Sequence, residues 1–129
     1  MLNVTPQEAR RIWVEALRSG KYQQTQGRLA RELEDGSIGY CCLGVACEVL
    51  GAEKGLTQDG RIMWLATGFV PAIHYLPDGI KILLGLKDKG GYHEGGSLVL
   101  TNDGGASFAE IADIIEAAPA GLFVETPDA

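Results

Sequence analysis

The feature that most constrains the fold of this chain is an almost wholly apolar run from residue 40 to residue 51, with the sequence Tyr-Cys-Cys-Leu-Gly-Val-Ala-Cys-Glu-Val-Leu-Gly. Its only charged residue is Glu48, and it ends in Gly51, the residue type that most readily stops a helix in the left-handed conformation. The run is too short to cross a membrane, which takes about 20 apolar residues in a helix. It therefore predicts a buried helix of about two to three turns, entered directly from a strand.

The segment from residue 5 to residue 20 carries the signals of an amphipathic helix. Thr5 is a suitable N-cap, Pro6 stands at the first helical position and Glu8 is placed to complete a capping box. Gly20 supplies a left-handed stop at the far end. Between these signals, apolar side chains recur at helical spacing, at Ala9, Ile12, Trp13, Ala16 and Leu17. We predict a first helix that packs this stripe on the core.

Two more helices are predicted in the second half of the chain. A short helix follows Pro77, which stands near its start, and stops at Gly85. The last helix begins with a second capping box, formed by Ser107 and Glu110, and ends before Pro119.

Strands are predicted where short alternating runs flank turn residues. Asp35-Gly36 separates runs at 27 to 33 and 37 to 41, which is a good hairpin signal. A helical interpretation of residues 28 to 34 stays open, because leucine, alanine, arginine and glutamate favour helix.

Further along, a turn at 57 to 60 precedes a strand-like segment at 61 to 65. Residues 87 to 97 are predicted to form a flexible glycine-rich loop, and residues 98 to 101 a short strand closed by the turn Asn-Asp-Gly-Gly.

Together these elements predict one α+β domain, with three or four helices packed on a small antiparallel sheet. A chain of 129 residues with 46% hydrophobic and 22% charged residues has the composition of a globular domain, which excludes a wholly disordered chain and a coiled coil. We expect the domain to occupy residues 1–119 and an acidic, loosely attached tail to occupy residues 120–129.

Membrane contact is not expected. No window reaches the roughly 18 apolar residues of a spanning helix, and the N-terminus has no basic region followed by an apolar stretch. The sequence therefore predicts a soluble protein of the cytoplasm.

The charge is distributed unevenly. The chain has a net charge of −6, which disfavours nucleic acid as a partner, since binding to phosphate backbones depends on basic side chains. Residues 1–31 nevertheless hold six basic and two acidic side chains, whereas residues 32–129 hold five basic and fifteen acidic ones. Such asymmetry is typical of an anion site or a self-complementary oligomer surface, and also of a merely solvated basic helix face.

The cysteines and histidines offer two kinds of chemistry. Three cysteines within seven positions, Cys41, Cys42 and Cys47, cannot form a spread disulfide framework, which indicates a reducing compartment. They lack the Cys-x-x-Cys spacing of a zinc knuckle. A thiol at the start of the buried helix could act as a nucleophile with His74 or His93 as base, yet the surrounding apolar residues favour simple burial. We assign no catalytic residue, no metal site and no cofactor.

A candidate ligand site is predicted from two segments. Positive charge, amides and an aromatic ring are combined between residues 21 and 31, a composition suited to a small phosphate-bearing molecule. The loop at 90 to 96 adds an aromatic ring and an imidazole among glycines. The alternative interpretations are a solvated hairpin and a loop without a ligand. The predicted ligand-binding residues are Lys21, Tyr22, Gln24, Arg28, Arg31, Tyr92 and His93.

The same motifs resemble a family of small bacteriophage proteins of unknown function. The resemblance runs over most of the chain and rests on residues 13 to 27, the run Tyr-Cys-Cys-Leu-Gly-Val at 40 to 45 with Cys47, residues 76 to 86, and Thr-Asn-Asp at 101 to 103 with Ser-Phe-Ala-Glu-Ile-Ala at 107 to 112. The chain departs from the family pattern at Thr101, where an apolar residue is expected, and in the glycine-rich insertion at 90 to 96. The resemblance implies no established activity or catalytic residue.

A small acidic phage protein without a catalytic motif often binds a component of the host. The leading hypothesis is a counter-defence protein that binds and sequesters a small nucleotide-like immune signal without chemistry, as a homo-oligomer in the host cytoplasm. Two alternatives stay open: a protein-binding inhibitor of a host defence or nucleic-acid-handling protein, and a small cysteine- or histidine-dependent enzyme.

Overall fold

A computed structural model describes residues 1–65 and 71–124 of the chain. The described residues form five helices and eight short strands, which confirms the α+β class with more helix than expected. None of these helices is long and apolar enough to cross a membrane. In chain order the elements are α1 (Pro6–Arg18), β1 (Gln23–Gln24), β2 (Ala30–Glu32), β3 (Ile38–Tyr40), α2 (Cys42–Val49), β4 (Lys54–Leu56), β5 (Ile62–Leu65), β6 (Pro71–Ala72), α3 (Asp78–Leu84), β7 (Tyr92–His93), β8 (Gly96–Ser97), α4 (Leu98–Asp103) and α5 (Phe108–Ala117).

The strands form three small sheets. In the first, β3 lies between β1, to which it is parallel, and β2, to which it is antiparallel. The second is the antiparallel meander β4-β5-β6, and the third is the hairpin β7-β8. The hairpin predicted on either side of Asp35-Gly36 is present as β2 and β3, and Gly36 turns it with a φ of +87°.

Helix α2 lies at the centre of the core, as its apolar sequence predicts, and every residue from Cys42 to Cys47 is buried. A Cβ at Gly44 would collide with the carbonyl group of Leu29, so glycine lets the helix approach the chain just before β2. Trp13 of α1 is fully buried and its indole Nε1 donates to the Cys42 carbonyl at 2.8 Å. This contact joins α1 to the start of α2.

Helices α1 and α5 begin where their capping signals predict. In α5 the capping box is complete, because Ser107 Oγ accepts from Glu110 N at 3.1 Å and the Glu110 carboxylate accepts from Ser107 N at 3.2 Å. In α1, Thr5 Oγ1 accepts from Glu8 N at 3.2 Å, while the Glu8 carboxylate pairs with Arg11. The first capping box is therefore only half formed.

Two predictions for residues 87 to 101 are wrong. Residues 98 to 101 form the first turn of helix α4, because Ser97 Oγ caps Leu100 N at 3.1 Å and because Leu98 and Asn102, four residues apart, are both buried. The glycine-rich segment before them is no flexible loop, since it contains the hairpin β7-β8.

The expected loose tail is also wrong for its first residues. Leu122 is fully buried, Phe123 forms a β-bridge with Leu86, and Val124 N donates to the Gly85 carbonyl at 2.8 Å. Residues 120 to 124 are therefore part of the domain. The rest of the predicted tail, 125 to 129, lies outside the described residues.

Candidate functional site

The register of the first sheet separates two of the predicted ligand-binding residues. Gln23 and Arg31 both lie level with Gly39, Gln23 in the parallel strand and Arg31 in the antiparallel one. Lys21, two residues before β1, therefore lies towards the hairpin tip, and Arg28, two residues before β2, lies beyond the other end of β3. The two ends of the predicted basic segment thus lie at opposite ends of the first sheet.

Tyr22 and Gln24 support the fold. The ring of Tyr22 packs edge-on against Tyr40 at 5.5 Å between centroids. Gln24 Nε2 donates to Asn102 Oδ1 at 2.8 Å and to the Ala106 carbonyl at 2.7 Å. Both side chains therefore make contacts inside the domain, and their role in ligand binding stays a prediction.

Asn102 is the polar residue whose role sequence reasoning missed, since its Asn-Asp-Gly-Gly context resembles an exposed turn. Its side chain is fully buried. Oδ1 also accepts from Cys42 N at 3.1 Å, and Nδ2 donates to the Thr25 carbonyl at 2.8 Å. Asn102 therefore joins α4 to the chain after β1 and to the start of α2.

Arg31 and His93 also make local contacts. Arg31 is exposed, and its Nε donates to Thr25 Oγ1 at 2.7 Å. His93 Nδ1 lies 2.8 Å from the Glu94 carbonyl, which can only accept, so Nδ1 carries the proton. His93 Nε2 is buried and has no partner among the described residues. Both ring nitrogens of His93 therefore face the protein, and a role of this imidazole in ligand binding stays a prediction.

Residues 73 to 75, which sequence reasoning did not assign to a ligand site, contact the chain on both sides of Arg28 and also approach Tyr92. On one side of Arg28, the Gly27 carbonyl accepts from His74 Nδ1 at 2.9 Å. On the other side, Leu29 N donates to the Ile73 carbonyl at 2.7 Å. The backbone at Arg28 therefore lies against the segment that leads into Tyr75.

Two tyrosine rings extend this surface. A Cβ at Gly90 would lie 3.3 Å from Tyr75 Cε1 and 3.2 Å from Tyr92 Cε2, so both rings lie over the same glycine. Tyr75 is 48% exposed and Tyr92 is 50% exposed. We call this region the tyrosine surface and define it by Arg28, His74, Tyr75, Gly90 and Tyr92.

The backbone beneath the tyrosine surface is held by a carboxylate. Asp88 Oδ1 accepts from Gly90 N at 2.8 Å, and both Asp88 oxygens lie 3.1 Å from Tyr92 N. Leu76 N donates to the Lys89 carbonyl at 3.1 Å. These bonds hold the backbone of Gly90, Tyr92 and Leu76 in place.

The cysteines are not reactive groups of this site. All three are buried and none forms a disulfide. Burial raises the pKa of the Cys41 thiol to about 11 and raises the pKa values of Cys42 and Cys47 well above the ordinary value. A nucleophilic cysteine needs the opposite shift and access to solvent, so the structure argues against thiol catalysis.

The described residues give little support for a metal site. Within 1–65 and 71–124, no group of three or more histidine, cysteine, aspartate or glutamate side chains is placed to hold a metal ion. The tyrosine surface offers two half-exposed phenol rings and an exposed imidazole, and the backbone of Arg28 lies next to His74. These groups can stack on a planar ring and donate hydrogen bonds to an anion.

Comparison with known proteins assigns the chain to a family. No curated protein and no solved structure matches the chain. The model of the family described as Domain of unknown function (DUF8296) matches residues 5–119, which is most of the chain and includes the whole tyrosine surface. The protein therefore belongs to the DUF8296 family.

Proposed function

We propose that this protein is a non-catalytic binding protein that sequesters a small, phosphate-bearing, nucleotide-like molecule on the tyrosine surface. The observation that carries the proposal is the pair of half-exposed tyrosines over Gly90, in a region where the backbone next to Arg28 bonds to His74. Stacking on an aromatic ring contributes about 1–3 kcal/mol per nucleobase. A guanidinium is the side chain best suited to bind phosphate with two parallel hydrogen bonds.

The proposal includes a biological setting. We place the protein in the cytoplasm of a phage-infected bacterium, as a homo-oligomer that removes a nucleotide-type immune signal of the host. Support for this setting comes from the resemblance to phage proteins and from buried thiols, which suit a reducing compartment.

Isothermal titration with cyclic dinucleotides and with ADP-ribose tests the proposal. We expect saturable binding at about 50 µM protein. Tyr92→Ala removes a stacking ring and Arg28→Gln removes the cation, so each is expected to weaken binding by about tenfold or more. The matched control is Lys21→Gln, which removes a cation at the far end of the first sheet and should leave the affinity unchanged.

Two results would contradict the proposal. One is the absence of heat with every nucleotide tested. The other is equal weakening by Lys21→Gln and Arg28→Gln, which would indicate long-range attraction rather than a site.

The second candidate function is a protein-binding inhibitor. It is favoured by the excess of acidic side chains in residues 32–129, fifteen against five basic ones, which suits a basic partner. Affinity purification from host lysate distinguishes the two: a stoichiometric basic protein partner that binds equally well to Tyr92→Ala would favour the inhibitor.

A further inference from the structure

A groove of about 440 Å³ lies between α1 and α5, away from the tyrosine surface. Its walls combine the apolar side chains of Val14, Ile115 and Phe123 with polar groups that include Gln7 and Arg10. This volume is within the range of small-molecule sites, which are typically mostly apolar with a few fixed polar groups.

Arg10 is held rigidly at this groove. Its Nε donates to the Leu84 carbonyl, at the end of α3, at 2.7 Å. Its guanidinium carbon lies 3.8 Å from the centroid of the Phe123 ring. A Cβ at Gly85 would collide with Nη2, so the guanidinium also fills the space beside that glycine. Backbone and ring contacts therefore fix the position of the cation.

The charge of Arg10 has no carboxylate partner within residues 1–65 and 71–124, unlike two other arginines of the same helix. Arg11 pairs with Glu8 and Glu15, and Arg18 pairs with acidic residues of α5. Burial lowers the pKa of Arg10, which shows that its surroundings disfavour an uncompensated charge. Among the described residues only one of its five N–H groups has a hydrogen-bond acceptor, the Leu84 carbonyl.

We propose that this groove is a second ligand site, which binds a small organic carboxylate with a flat apolar body. The carboxylate is received by the free N–H groups of Arg10, whose planar fork matches a carboxylate. The apolar body packs on Val14, Ile115 and the exposed part of Phe123. The charged lining residues, Arg10, Arg11, Glu15 and Glu116, carry no net charge together, so one carboxylate fits better than a polyphosphate.

The test uses 2-naphthoate as the probe and 2-naphthalenemethanol as its uncharged counterpart, each titrated into the full ¹⁵N-labelled chain by NMR. We expect saturable shifts of the Arg10 Nε resonance and the Gly85 amide with a dissociation constant at or below about 1 mM. The alcohol is expected to bind about tenfold more weakly, because it lacks the charge-assisted bond.

Variants separate the site from general effects. Arg10→Gln is expected to weaken 2-naphthoate binding by about tenfold, while Arg61→Gln, which removes a cation that pairs with Asp59 outside the groove lining, leaves it unchanged. Because Arg10 also supports the Leu84 carbonyl, Gln7→Trp provides a second test that blocks the groove and leaves Arg10 in place.

Three results would overturn the proposal. They are the absence of saturable NMR shifts in the wild-type chain, an equal affinity for 2-naphthoate and 2-naphthalenemethanol, and an unchanged affinity for 2-naphthoate in the Gln7→Trp variant. A fourth comparison uses the chain with Glu125→Gln and Asp128→Asn. If 2-naphthoate bound to that chain about tenfold more tightly, the replaced carboxylates would be competing with the probe, and the groove would be assigned to the protein's own carboxylates instead.

Discussion

Asn102 is a single residue on which three parts of the fold depend. Replacement by alanine would leave Cys42 N, Gln24 Nε2 and the Thr25 carbonyl without this partner in a buried place. Each unsatisfied buried group costs about 1–3 kcal/mol, so we expect Asn102→Ala to lower the free energy of unfolding by about 3 kcal/mol or more. Urea denaturation measures the change. The matched control is Asn3→Ala, at the other asparagine, which is exposed and should change stability by less than about 0.5 kcal/mol.

The buried thiols predict a loss of stability in alkaline solution. In the unfolded chain a thiol ionises near pH 8.5, whereas burial raises the pKa of folded Cys41 to about 11. Above about pH 8.5 the unfolded state releases its proton first, so stability is complete below this pH and is lost as the pH rises through 11. We expect the urea midpoint to fall between about pH 8 and pH 10.5.

The control for this prediction is Cys41→Ala, which removes one of the three thiols. Its midpoint should fall less steeply over the same pH range. Equal slopes in the two proteins would show that the Cys41 thiol is not responsible for the alkaline transition.

At the scale of elements, the approach of α2 to the chain before β2 depends on Gly44. An alanine there would drive its Cβ into the Leu29 carbonyl, and backbone cannot move aside as a side chain can. We expect Gly44→Ala to cost about 3 kcal/mol or more, measured as a loss of thermal stability. Gly55→Ala is the matched control, because its Cβ would meet only the mobile end of the Met63 side chain, at 3.3 Å.

Elements with local start and stop signals could be predicted from the sequence. Capping residues define the starts of α1 and α5, and an apolar run defines α2, because these signals act within one or two turns of helix. Helix α4 could not be predicted in this way. Its sequence Leu-Val-Leu-Thr favours a strand. The segment is a helix because Leu98 and Asn102 are buried on one face of it, which is an effect of tertiary packing.

At the scale of the whole molecule, the candidate site was predictable only in part. The sequence indicates Arg28 and Tyr92, but the tyrosine surface also needs His74 and Tyr75, which reach it through backbone pairings between distant segments. Gln24 has an amide side chain of the kind expected in a ligand site, but this side chain bonds to Asn102, 78 residues away. Pairings of this kind leave no periodic signal in a sequence.

The segment after Pro119 shows where the domain ends. Beyond the matched family range, Glu94 N donates to the Ala120 carbonyl at 2.7 Å and Lys87 N to the Leu122 carbonyl at 3.1 Å. The side chain of Leu122 is completely buried. These residues close the core beside the hairpin β7-β8 and the end of α3.

A chain ended after Pro119 should therefore be much less stable than one ended after Val124. Removal of a buried leucine alone costs about 2–5 kcal/mol, and the shorter chain also loses the Phe123 ring that lies over Arg10 and the bond from Val124 N to the Gly85 carbonyl. For a domain of this size we expect the melting temperature to fall by roughly 10 °C, measured by circular dichroism. Leu122→Ala in the full chain should reproduce much of the loss. Equal melting temperatures for the two shortened chains would show that residues 120 to 124 add nothing to the core, whereas a large difference places these residues within the folding unit.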